Sequence, residues 1–260
     1  MSKSKNRQFQ NKILWQDPVP NQSWISEYHD RIRNIAVNVV SERTLIDISS
    51  LKEGYPSPAP SYPHIFNSLH IAQGVYQAEK KGYDAVIIGC MLEGGLRESR
   101  SLVKIPVIGA FGASSWLASM LGHKFSILVT DKHVSHIAEE LIEKNGLEKK
   151  VVSIKCLESK TSKLIFKDQN RYVDLVIEAM DKIIEEDGAE AIIPFCTITG
   201  SILASRKALS IKGVPIVDPV STSIKIAESM TELWKTYEIE VCRKSIYKKP
   251  PSSFLDKIPI

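Results

Sequence analysis

Two cysteines stand at matching places in an internal repeat. Residues 81–109 read KGYDAVIIGCMLEGGLRESRSLVKIPVIG, and residues 187–218 read DGAEAIIPFCTITGSILASRKALSIKGVPIVD. A shift of 106 residues lays Gly82 on Gly188, Ala85 on Ala191, Ile87 on Ile193 and Cys90 on Cys196. The same shift lays Gly94 on Gly200, Ser99 on Ser205 and Arg100 on Arg206. After a three-residue insertion in the second copy, IPVIG falls on VPIVD. Each cysteine follows a short hydrophobic run that is preceded by an acidic residue, Asp84 or Glu190, and by a long amphipathic stretch. Each therefore lies just past the carboxyl end of an expected strand, where open α/β sheets bind ligands.

If a pseudo-twofold axis relates the two copies, the strand ends face one cleft with a thiol on each side. A small molecule held there lies between two acid/base groups on opposite faces. One thiolate can remove a proton from an acidic carbon while the opposite thiol returns one to the other face, which inverts the centre. The scheme requires no flavin, nicotinamide or pyridoxal group. Thiols start near a pKa of about 8.5 and become more acidic when a helix N-terminus faces them. Helices are expected after Gly94 and after Gly200, and their free amides could hold a carboxylate or a developing enolate. The competing reading is a pair of buried core cysteines. Cys156, inside VVSIKC, and Cys242, near the tail, have no counterpart in the repeat and receive no role.

The elements that must position these thiols are short and alternate in type. Nearly continuous apolar runs at 33–40, 84–89, 107–109, 125–130, 151–156, 191–194 and 214–218 read as strands, with 12–15 a weaker one. Runs of this kind fit strands covered on both faces, as in a parallel sheet. Helical periodicity marks 64–81, 132–145, 172–186 and 221–237; Thr130 or Asp131 can cap the second, and Gly82, Gly146 and Gly188 can end the first three. The alternation predicts an α/β fold of two similar Rossmann-like lobes with largely parallel sheets. The expected division is 11–112 completed by 221–260, and 113–220. The proline-rich segment GYPSPAPSYP at 54–63 reads equally as a plain connection or as a lid over the site.

Composition narrows the class further. The 260 residues are 43% hydrophobic and 25% charged, enough for a sizeable core, which excludes fibrous and wholly disordered chains. No apolar stretch approaches a spanning helix, and MSKSKNRQFQ has no apolar run to make it a secretory signal. The net charge of +4 is spread along the chain, without the basic stripe of a nucleic-acid binder. The densest basic stretch, 243–249, reads as a solvated tail. The four cysteines have neither zinc nor redox spacing, so the expectation is free thiols in the cytoplasm. The six histidines read as surface or capping residues rather than a metal set, and no dinucleotide or phosphate loop occurs.

At YDAVIIGCMLEGGLRESRSLVKIPVIG, AEAIIPFCTITG and VPIVDPV the chain resembles the aspartate/glutamate/hydantoin racemase superfamily, over roughly residues 12–237. The resemblance implies a cofactor-independent enzyme with two similar α/β lobes, a carbonyl-containing small-molecule substrate and a homo-oligomeric state. It carries Cys90 onto the first family cysteine and Cys196 onto the second. Amino-acid, hydantoin and allantoin racemases and maleate isomerases keep both, whereas a related decarboxylase branch keeps one. It further implies that Thr197 holds the substrate or orients the thiol, and that Gly112, Ala113, Ser114 and Ser115 line the pocket; helix capping is the competing reading for the serines.

Three departures bear on the substrate. The family's Asn-Pro-Asn strand end is replaced by ILWQDPVP, which puts Asp17 and Pro18 there. Met91, Leu92 and Glu93 follow the first cysteine, and the bulky Phe195 precedes the second. An acidic Asp17 and an apolar Phe195 fit a less charged substrate. The leading expectation is a racemase or epimerase acting on a hydantoin-type cyclic ureide or an amino acid. The alternatives are a maleate-isomerase-like enzyme that adds a cysteine covalently to a double bond, or a binding protein on the same scaffold.

Overall fold

A computed structural model describes residues 10–258. The amino-terminal residues 1–9, read above for their lack of an apolar run, and residues 259–260 lie outside the described residues. The chain runs β1 (Asn11–Pro20), α1 (Ile25–Val39), β2 (Thr44–Leu51), α2 (Ser61–Lys80), β3 (Ala85–Ile88), α3 (Leu96–Leu102), β4 (Val107–Gly109) and α4 (Ala110–Leu121). It continues through β5 (Phe125–Val129), α5 (Lys132–Lys144), β6 (Val151–Cys156), α6 (Ser159–Ser162), α7 (Gln169–Asp187), β7 (Ile192–Pro194) and α8 (Thr197–Ser205). The hairpin strands β8 (Ser210–Ile211) and β9 (Val214–Pro215) precede α9 (Pro219–Tyr237) and α10 (Ser252–Leu255).

Two parallel sheets form the frame, in the orders β2-β1-β3-β4 and β6-β5-β7. Their central strands are buried on both faces, as the continuous apolar runs require: Ile13, Trp15, Ile87, Ile127 and Ile193 have no exposed surface. Helices cover the sheets, so the expected α/β architecture of two similar parallel-sheet lobes is the one observed. The last long helix, α9, returns to the first sheet and packs on β1, β3 and β4 as well as on α4. Its start is fixed by Asp218, whose carboxylate accepts from the amides of Val220 and Ser221 at 3.0 and 2.8 Å, with Pro219 in the first turn. Asp131 caps α5 by accepting from the His133 amide, and left-handed glycines follow α2, α5 and α7 at Gly82, Gly146 and Gly188.

Three expectations are corrected. Residues 33–40 are not a strand but the last part of α1, because the buried positions Ile25, Tyr28, Ile32, Ile35 and Ala36 follow helical spacing while Val37 is exposed. Residues 214–218 do not make a long parallel strand. Val214–Pro215 pairs antiparallel with Ser210–Ile211, and a single parallel bridge joins Ile216 to Ile192. The tail is not simply solvated: Arg243 donates to the carbonyls of Arg100, Val103 and Tyr247, which pins 243–247 against α3 and its exit. The structure also adds β2, an edge strand that the sequence reading passed over.

Candidate active site

Both cysteines lie where their strands end, and both line one cavity of about 320 Å³. Cys90 follows β3 by two residues. Gly89 between them is demanded by a close approach: a Cβ there would sit 2.3 Å from the indole nitrogen of Trp15. Cys196 is the N-cap residue of α8, so the helix starts at Thr197, earlier than the expected start after Gly200. The first-turn amides of α8 have no partner within the helix, and the Cys196 side chain makes no capping hydrogen bond to them. All four cysteines are free, and Cys90 and Cys196 are both partly exposed.

The two cysteine turns are joined directly. Thr197 donates its hydroxyl to the carbonyl of Gly89 at 3.1 Å and accepts from the phenol of Tyr28 at 2.8 Å. Tyr28 and Thr197 are both buried. Burial first, and then the nearby Asp17 carboxylate, raise the Tyr28 phenol well above its ordinary pKa, against the opposing hydrogen bond to Thr197. Tyr28 is thus a neutral donor that fixes the Thr197 hydroxyl, which in turn fixes the backbone beside Cys90. Behind Cys196, Tyr172 and Thr199 pair through their hydroxyls at 2.7 Å.

The two thiols have different surroundings. Burial pushes Cys90 up to about 12; the Leu92 amide, which donates to its sulfur, eases this, and negative charge on Cys196, Glu93 and Asp17 adds to it. Cys90 is therefore a neutral thiol near pH 7. Glu93, three residues on, has a left-handed φ of 51° and turns its carboxylate inward. Its Oε1 accepts from the Gly112 amide at 2.7 Å, and the Phe111 amide also donates to the carboxylate. Burial raises the Glu93 pKa, while these two amides and the charge of Arg100 lower it.

This contact decides the place of the four residues expected to line the pocket. Gly112, Ala113, Ser114 and Ser115 lie in α4, outside the lining of the cysteine cavity. The helix start that was to hold an anion is already capped by Glu93. Ala113, Ser114 and Ser115 are buried, and Ser114 bonds back to the Ala110 carbonyl. A Cβ on Gly109 would sit 2.1 Å from Glu93 Oε1, so the glycine before α4 makes room for that cap.

Asp17, Phe195 and Thr197, by contrast, do line the cavity. Pro18 cannot donate to a ladder, and the β1–β2 register shifts between Gln16 and Pro20, where Asp17 leaves the sheet. Its buried carboxylate accepts from the Trp15 indole at 3.1 Å and the Ser50 hydroxyl at 2.9 Å, and meets His29 Nε2 at 2.6 Å. His29 is thus tied to a carboxylate at the cavity wall rather than being a plain surface or capping residue. Phe195 packs edge-on to Phe111, with ring centroids 5.5 Å apart, and also forms part of the cavity wall. The remaining lining is mostly apolar, and among the described residues neither lysine nor arginine belongs to it.

Sequence reasoning missed Tyr28 and Trp24, because the α1 region was read as a strand further along. The helical spacing of Tyr28, Ile32, Ile35 and Ala36 is the signal that would have found Tyr28. It also left the role of the proline-rich segment open. Pro56, Ser57, Pro58 and Ala59 line the cavity, so this segment is a wall of the site. Among the described residues no group of three or more histidine, cysteine or acidic side chains is arranged to hold a metal ion, and no helix is long and apolar enough to cross a membrane.

Comparison with known proteins agrees with this arrangement. The chain is 28% identical over 221 residues to a hydantoin racemase of Pseudomonas sp. (strain NS671), covering 84% of this chain and 85% of the relative. It is 27% identical over 232 residues to the hydantoin racemase of Paenarthrobacter aurescens, covering 89% and 94%. The allantoin racemase from Klebsiella pneumoniae has the same fold, with a TM-score of 0.80 at 23% identity over 93% of this chain and 94% of the other. The family model for Asp/Glu/Hydantoin racemase matches residues 26–227. The chain belongs to the Asp/Glu/Hydantoin racemase family, and it is an isomerase with that family's cofactor-independent chemistry.

Proposed function

We propose that this isomerase racemises a neutral cyclic ureide of the hydantoin type, with Cys90 and Cys196 as the acid/base pair. The observation that carries the substrate class is the cavity lining, which among the described residues offers no lysine or arginine to a carboxylate. A free α-amino acid would bring a carboxylate, and deprotonation would place a second negative charge beside it. An unsaturated diacid would bring two carboxylates to the same apolar wall. A cyclic ureide brings no full charge. Its reacting C–H lies next to a ring carbonyl that can take up the charge as an enolate.

In one direction the Cys196 thiolate removes the proton from the reacting carbon, and the electron pair moves into the adjacent carbonyl. The neutral Cys90 thiol then delivers its proton to the opposite face. The cycle ends with Cys196 as the thiol and Cys90 as the thiolate, which is the state required for the reverse reaction. The first-turn amides of α8 are suited to the developing enolate oxygen. Thr197 acts by holding the Gly89 carbonyl, and hence the Cys90 turn, against the Cys196 turn. The division 11–112 with 221–260, and 113–220, gives each half one thiol. Two free thiols with an acid/base task fit the reducing cytoplasm.

The test is α-hydrogen exchange in heavy water, followed by NMR, with both hands of substituted hydantoins, allantoin and free amino acids. Exchange with inversion is expected for the hydantoins. Exchange only with free amino acids would overturn the ureide reading, and silence across a folded, reduced sample would overturn the proton-transfer reading.

A further inference from the structure

The cavity has two rims that are held very differently. On one side the proline-rich wall is clamped. Asn67, only 1% exposed, donates to the carbonyls of Pro18 and Tyr55 at 2.8 and 2.9 Å and accepts from the Tyr55 amide at 2.8 Å. His64 meets the Pro58 carbonyl at 3.2 Å, and Gln22 donates to the Pro56 carbonyl at 3.0 Å. Gln22 also accepts the Trp24 indole proton at 3.1 Å, so Trp24 is tied through it to the same wall.

On the other side stands Phe166, in the turn between α6 and α7. Its ring lies 5.0 Å from the Trp24 ring, both rings line the cavity, and Phe166 is 51% exposed. Its backbone is anchored by the buried Ile165 and by the bond from the Lys167 amide to the Leu164 carbonyl. The phenyl ring itself has only apolar contact to hold it, and an exposed side chain of this kind changes rotamer in picoseconds to nanoseconds.

We propose that Trp24 and Phe166 form the entrance to the cysteine cavity, with Trp24 as a fixed post and Phe166 as the moving leaf, and that this pair selects the substituent carried by the reacting carbon. The selection rests on the ureide reading above; the entrance does not. A flat or branched apolar substituent can replace the contact that each ring loses when the leaf opens. A charged substituent would lose water there without gaining a partner.

The entrance is tested without turnover, by alkylating the reduced protein with iodoacetamide or with the bulkier N-phenylmaleimide and mapping each cysteine by mass spectrometry. The exposed Cys242 serves as the internal reference. In Phe166→Ala, modification of Cys196 by N-phenylmaleimide relative to iodoacetamide should rise about tenfold, a steric gain comparable to opening a hydrophobic pocket. In His64→Ala, which frees the proline wall at Pro58, that ratio should stay as in the parent protein. An unchanged ratio in Phe166→Ala, or a raised one in His64→Ala, would overturn the proposal and put the entrance beneath the proline wall. Selection is read from kcat/KM on 5-benzyl and 5-methyl hydantoin. Phe166→Ala should reduce the benzyl-to-methyl preference about tenfold, and an unchanged preference would remove Phe166 as a selecting residue. If no ureide reacts at all, the ureide reading fails while the alkylation ratio still decides the entrance.

Discussion

The Cys90 and Cys196 turns come from the same repeat, yet the chain has built them differently. After Cys196 the helix begins at once, and the residue stands at the N-cap of α8, its thiol making no capping hydrogen bond. After Cys90 the chain spends five residues before α3 begins at Leu96, using left-handed backbone at Glu93 and Gly95. Those residues turn Glu93 inward to cap α4, and they leave Cys90 a neutral, partly exposed thiol. A repeat therefore conserves where a functional atom is placed without conserving its electrostatics. Here the difference is seen at Cys90, whose surroundings raise its pKa to about 12.

The sharpest way to break this comparison is to remove each thiol in turn. Cys90→Ala and Cys196→Ala should each lose racemisation by about a thousandfold, within the usual range for an acid/base group. Their residual chemistry should differ. Cys90→Ala keeps Cys196 and should still exchange the α-hydrogen of one enantiomer in heavy water. Cys196→Ala retains only the thiol pushed up to about 12 and should exchange far more slowly at pH 7. Equal exchange by the two variants, measured by NMR, would show that the thiols are equivalent. A related expectation concerns alkylation of Cys90 in the parent protein. Because only the thiolate reacts, its rate should climb about tenfold per pH unit from 8 to 10 without levelling. A plateau near pH 9 in peptide-mapped rates would mean an ordinary thiol.

This contrast was only half legible in the sequence. The repeat exposed both cysteines and the sheets beneath them, because glycine, strand and cysteine keep one spacing in each copy. Asp17 and Thr197 were legible through the family resemblance and Phe195 through its place beside Cys196, and all three line the cavity. The Glu93 cap was not legible. It depends on one residue adopting positive φ and reaching across to α4, and nothing local in MLEGG announces that. For the same reason the α4 amides, free by sequence, proved to be occupied. Tyr28 was hidden by β-branched residues in 33–40 that favour a strand locally, whereas burial of every third or fourth residue against the sheet made a helix.

Glu93 sharpens the comparison through stability. Burial raises its pKa above the ordinary carboxylate value, so the folded state favours the protonated form. Its stabilising contribution is complete below the unfolded pKa and is lost as pH rises through the folded one. Glu93→Gln keeps an acceptor for the Gly112 amide but carries no charge. The stability difference should therefore move in favour of the glutamine variant as pH rises from about 4.5 to 7, followed by urea unfolding. A difference that is flat with pH would mean that the carboxylate is not strained by burial. Glu93→Ala, which leaves the α4 amides without a partner, should cost about 1–3 kcal/mol near the low end of that range and less as pH rises.

The smallest expected effect falls on the link between the turns. Thr197→Val keeps the volume and removes the hydroxyl, leaving both the Tyr28 phenol and the Gly89 carbonyl without their partner. It should cost about 1–3 kcal/mol of stability. Activity should fall more than stability alone explains, because the Cys90 turn loses its register against the Cys196 turn. Thr197→Ser, which retains the hydroxyl, should recover most of both. Tyr28→Phe removes the donor but leaves Thr197 free to donate to Gly89, so it should cost about 1 kcal/mol. If the two residues act as one chain of hydrogen bonds, the double variant should lose less than the sum of the single ones. The coupling in a double-mutant cycle should then be at least about 0.5 kcal/mol. Strict additivity would mean that Tyr28 packs beside Thr197 without orienting it, and that the clasp between the two thiols rests on the Thr197–Gly89 bond alone.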